Sequence, residues 1–112
     1  MQDVRPTIAV VRILTKFVDD VGEAQYGFKL MKATGYSSAK VYQILSRLTA
    51  AGWIDRIEKH DVESGGPRRV IYRMRPDAVP VARRMVQQAR DEVAPPRRKR
   101  ARGALRAIGV LA

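Results

Sequence analysis
The sequence has no cysteine and a single histidine, His60. No disulfide scaffold, thiolate zinc site or cysteine nucleophile is open to it. His60, with no Cys and no second His, reads as a surface residue rather than a metal ligand. The patterns G-x-x-x-x-G-K, H-E-x-x-H and G-x-S-x-G are missing, as is any paired-carboxylate arrangement, so neither an enzyme nor a cofactor is expected. No apolar run nears the ~18 residues of a membrane span. The opening stretch MQDVRPTIAVVRILTK has no signal-peptide layout, which points to a cytoplasmic chain without a membrane partner. Acidic residues also stop early, since all 11 lie at or before Glu92.

What the sequence has in excess is positive charge. Its 112 residues carry 22 Lys+Arg against 11 Asp+Glu, a formal net charge of +11. With 46% apolar residues there is material for one core but, at this length, not for two. Arg97, Arg98, Lys99, Arg100, Arg102 and Arg106 follow the last acid. The expected division is therefore a domain over 1–94 and a basic tail over 95–112. Such a balance asks for an acidic partner, nucleic acid first, with the chain associated with the nucleoid.

Apolar spacing predicts a helix from Pro6 to about Val18, with Ile8, Val11, Leu14, Phe17 and Val18 inward and Pro6 in its first turn. A shorter helix is predicted over Ala24–Thr34, with Tyr26, Leu30 and Met31 on one side. Gly27 lies inside it, where it weakens the helix and serves close packing. Gly35-Tyr36 makes a turn. Ser37 or Ser38 then caps a third helix that buries Val41, Ile44, Leu45 and Leu48 and stops at Gly52. Its other face shows Ala39, Lys40, Tyr42, Gln43, Ser46 and Arg47. Two helices around a tight turn, the second with a polar face, make a helix-turn-helix. Runs from Trp53 to about His60 and from Arg68 to Arg75, joined through Gly65-Gly66-Pro67, make a hairpin. Val70, Tyr72 and Met74 fall on one face of its second strand, and Arg69, Ile71, Arg73 and Arg75 on the other. A hairpin directly after such a helix is a wing. Trp53, just past Gly52, is read as a core residue and not as a platform for a flat ligand. From Pro76 a turn leads to a helix starting near Pro80, with Val81, Met85, Val86 and Ala89 on one stripe, ended by Pro95-Pro96. Pro80 suits a helix start because it lacks the amide that a helix interior would need.

The stretches YGFKLMKATGYSSAKVYQILSRLTAAGWI and GGPRRVIYRMRPDA resemble the PadR-like family of bacterial winged-helix transcriptional regulators. Tyr26, Gly27 and Leu30 match that family's Y-G-Y-E-L element. Val41, Tyr42, Leu45, Arg47, Leu48 and Gly52 match its L-Y-x-x-L-x-R-L helix, and Gly65, Gly66, Pro67, Arg68, Arg69, Tyr72 and Arg73 match its wing. Lys40 and Gln43 stand where the family often has small residues or Pro. Ala78 replaces a glycine after the wing, and the C-terminal helix is short for the family.

Residues and resemblance together predict a mainly α fold with a small β-hairpin: a three-helix core, a two-stranded wing and a C-terminal helix. The function expected is that of a sequence-specific regulator and repressor, a homodimer on double-stranded DNA with helix 37–51 in the major groove. Within that helix Gln43 and Lys40 are the candidate base readers, since Gln pairs with adenine and Lys with guanine. Ser37, Ser38, Tyr42 and Arg47 are candidate phosphate contacts. Gly66, Arg68 and Arg69 on the wing are expected against the backbone or minor groove. Arg97, Arg98, Lys99 and Arg100 form either a solvated extension or an arm along the backbone. The alternative is an architectural protein that coats nucleic acid without reading its sequence.

Overall fold
The computed structural model of the chain describes residues 1–59 and 69–93. The element order is α1 (Ile8–Asp19), α2 (Gly27–Thr34), α3 (Ser38–Ala50), β1 (Ile54–Lys59), β2 (Arg69–Met74) and α4 (Val79–Val93). The architecture is mainly helical with one small hairpin, as expected.

α1 starts two residues later than the spacing predicts. Thr7, not the first turn, meets the incoming chain: its hydroxyl accepts a hydrogen bond from the Val10 amide at 3.2 Å, which satisfies an otherwise orphan donor and leaves Pro6 outside the helix. The buried stripe is also rotated. Val10, Ile13, Leu14 and Phe17 face the core, while Ile8 is 74% exposed. α2 begins at Gly27 rather than Ala24, because Gln25 is taken by the sheet: its backbone exchanges both hydrogen bonds with Tyr72, at 2.7 and 2.9 Å. Tyr26 is consequently an exposed N-cap rather than a residue of the inner face. Leu30 is fully buried as expected.

α3 follows the reading closely. The Ser37 hydroxyl accepts from the Lys40 amide at 3.2 Å, and Val41, Ile44, Leu45 and Leu48 are buried. The chain leaves through Gly52 at φ +84°, a left-handed conformation that a side chain strains. β1 and β2 then pair antiparallel from Ile54↔Met74 out to Lys59↔Arg69. A turn over Pro76–Ala78 leads to α4, where Pro80 falls in the first turn. No intrahelical amide bond is lost there.

The core gathers α1, α2, α3, the root of the hairpin and Ala78, Ala82 and Val86 before and on α4. Trp53 lies within it, and its indole N–H donates to the Gln2 carbonyl at 2.6 Å. The Gln2 amide in turn donates to Ala51 O at 2.7 Å, and Val4 is buried. The residues before α1 are thus strapped across the end of α3. α4 packs on α1, with Arg90 Nη2 3.7 Å from Asp19 Oδ1. Among the described residues, no helix is long and apolar enough to cross a membrane.

Candidate nucleic-acid interface
A helix that buries one stripe of four apolar residues turns the rest of its surface outward. On α3 that surface is polar: Ser37, Ser38, Lys40, Tyr42, Gln43 and Arg47 are all exposed, so the six candidates from this helix are brought to one side. Lys40, Gln43 and Arg47 follow at spacings of three and four and form one row. The Gln43 and Arg47 side chains make no hydrogen bond or ion pair among the described residues, so their donors and acceptors are available to a partner. Lys40 is more constrained, with its ammonium 4.7 Å from the centre of the Tyr36 ring. Arg12 of α1 approaches the same ring at 6.0 Å. The attraction of a cation to a ring face orients Lys40 without neutralising it. Ser37 uses one acceptor site in capping and keeps its hydroxyl proton to donate.

Tyr42 owes its position to a glycine. Its ring lies over Gly27 so closely that a Cβ on residue 27 would overlap the ring and hydroxyl. Close packing at Gly27 was expected, but its place is the first residue of α2 and its neighbour is a candidate contact residue.

The wing stem is less basic in effect than the alternation of β2 suggests. Arg73 donates to the Gly22 carbonyl at 2.8 Å. Arg75 reaches Asp55 at 3.5 Å and Asp77 at 3.4 Å. On the exposed surface of β1 Arg56 bonds Glu58 Oε1 at 2.9 Å, a hydrogen bond that raises the guanidinium pKa above its ordinary value. Arg73 and Arg75 hold the hairpin root. Arg69 is exposed at the far end of the stem and has no ion pair among the described residues. It lines a groove of about 760 Å³ that also includes Tyr42, so the structure brings these two candidates to one cleft. Gly66 and Arg68, and Arg97, Arg98, Lys99 and Arg100, lie outside the described residues, as does His60. Among the described residues no three of His, Cys, Asp and Glu come together to hold a metal.

Other residues at the groove escaped the sequence reading. Tyr26 and Phe28 flank Gly27 on its wall, and Lys59 stands opposite Arg69. Only the clustering of two aromatics around a glycine next to the turn could have signalled the first two.

No family model and no curated protein matches the sequence. Solved structures do. A mutant of ZitR from Lactococcus lactis superposes with a TM-score of 0.66 at 19% identity, over 88% of this chain and 62% of that one. A MarR family transcriptional regulator from Silicibacter pomeroyi gives 0.62 at 24% identity, over 94% and 71%. A PadR family transcription regulator from Clostridium difficile gives 0.59 at 17% identity, over 72% and 86%. The fold is a winged helix. At these identities the likeness is one of fold, and the PadR family is one among several that share it. This winged helix spans 62% of the length of the ZitR chain.

Proposed function
We propose that the chain is a sequence-specific DNA-binding transcriptional regulator, a repressor that acts by occupying promoter DNA in the cytoplasm. One observation carries this reading: the exposed row Lys40, Gln43, Arg47 on α3, its side chains unpaired with acids, set after a tight turn and beside a wing stem that ends in Arg69. Its row of varied polar groups suits base edges, where donors and acceptors differ from pair to pair. A protein that only coated nucleic acid would need the charge without that variety. Solved winged helices of the same shape include transcriptional regulators, which supports the proposal at the level of fold.

The reading includes a homodimer that joins through α1 and α4 and places two α3 helices on a near-palindrome. It is supported by a groove of about 630 Å³ between these helices, lined by Ile8, Val11, Val86 and Ala89 among others. Competition binding tests the function. A site selected from random duplex should be preferred over bulk DNA by ~10³ or more. Equal competition by both would leave an architectural protein instead.

A further inference from the structure
The groove between α2, α3 and the wing has two walls of different chemistry. On the helical wall stand Tyr26, Phe28 and Tyr42, all exposed, with Phe28 at 61%. Exposed rings of this size normally sit singly on a surface, whereas these three share one cleft. On the wing wall stand Lys59 and Arg69, together with Val70 and Ile71. Lys59 and Arg69 are directly opposed partners in the ladder. Like charges in that relation destabilise a hairpin. Neither has an ion pair among the described residues. The contrast with the root of the same hairpin is sharp, since there Asp55 and Asp77 offset Arg75.

Two opposed cations that cost the free hairpin stability, facing a cleft of aromatic rings, suit an occupant with an anionic group beside an apolar, ring-sized one. A nucleotide unit has both. We propose that this groove seats the sugar-phosphate backbone of the DNA strand that passes from α3 to the wing. Lys59 and Arg69 hold a phosphate there, while Tyr26 and Phe28 cover the adjoining sugar and Tyr42 bridges the two walls. Tyr26, Phe28 and Lys59 thereby join the interface, and the like-charge strain in the free hairpin is relieved on binding. The inference rests on the DNA-binding reading above and adds to it a second contact surface separate from the base-reading row.

The experiment compares the full chain with Lys59→Ala and Phe28→Ala, using melting temperature and the affinity for a mixed-sequence duplex over a range of salt concentrations. Lys59→Ala should raise the melting temperature of the free protein by roughly 1–4 °C. It should also lower the slope of log affinity against log salt by about 0.9, the signature of one lost phosphate contact. Phe28→Ala should weaken binding several-fold at every salt concentration without changing that slope. Phe28→Tyr, which keeps a ring, should restore it. A wild-type chain that binds no duplex overturns the DNA reading and this inference with it. Wild-type binding that neither substitution changes overturns the groove alone, and so does capture of a peptide rather than a duplex there.

Discussion
Gln43 stands in the middle of the outward row of α3, exposed and without an internal partner. A carboxamide there can give a donor and an acceptor to one adenine edge. Gln43→Ala should cost about 1–3 kcal/mol at a single base position of the selected site and relax preference there. Equal loss on selected and random duplex would make Gln43 a backbone contact. Gly27 acts through Tyr42, because a methyl on residue 27 pushes the ring aside. Gly27→Ala should destabilise by about 1 kcal/mol in the wild-type background and be close to neutral beside Tyr42→Ala. That coupling is measurable in a double-mutant cycle. The outward placement of Ser37, Ser38, Lys40, Tyr42, Gln43 and Arg47 was legible because a serine cap and a glycine stop frame the helix, and four inward apolar positions fix which side is outward. Tyr26, Phe28 and Lys59 were not legible. Their cleft exists only once Gln25, ahead of α2, pairs with Tyr72 of β2, and no spacing along the chain encodes that.

The same contrast holds between elements. The two strands and α4 were readable from alternation and from a proline that only a first turn tolerates. α1 misled because IAVVRIL is apolar on both sides of the helix, so two stripes fit the pattern and packing chose Val10 and Ile13 over Ile8 and Val11. The Gln25–Tyr72 pairing went unseen since a single bridged residue has no period. Equally hidden was the strap formed by the residues before α1, a contact between sequence-distant Gln2 and Trp53. The strap is an element whose worth can be measured. Trp53→Phe removes its hydrogen bond and part of the buried ring, and should lower unfolding stability by about 1–3 kcal/mol. Deleting residues 1–4 removes the buried Val4 and both Gln2 bonds and should cost a similar amount. An unchanged denaturation midpoint in both would show that the strap contributes nothing to the fold.

At the scale of the whole molecule, a +11 chain pairs Asp55, Glu58 and Asp77 with arginines of the hairpin and Asp19 and Asp20 with cations at the C-terminal end of α1, and leaves Lys40, Arg47, Lys59 and Arg69, among other cations, without acid partners among the described residues. The proposed dimer turns these four toward DNA. Ile8→Glu places a charge in the groove between α1 and α4 and should shift sedimentation from dimer to monomer while circular dichroism stays unchanged. A dimer that persists would move the assembly surface elsewhere. Deletion of 95–112 removes six cations, so it should weaken binding to long duplexes more than to a minimal site, with the difference fading at high salt. A fall to monomer on that deletion would make the segment part of the assembly instead. The central claim, that α3 reads bases from the major groove, is tested most directly by methylation interference on the selected duplex. Methyl groups on guanine N7 lie in the major groove. The account predicts that they block binding in two short patches with centres about 10 base pairs apart, one per half-site. Methylated and unmethylated duplexes bound alike at every position would contradict it.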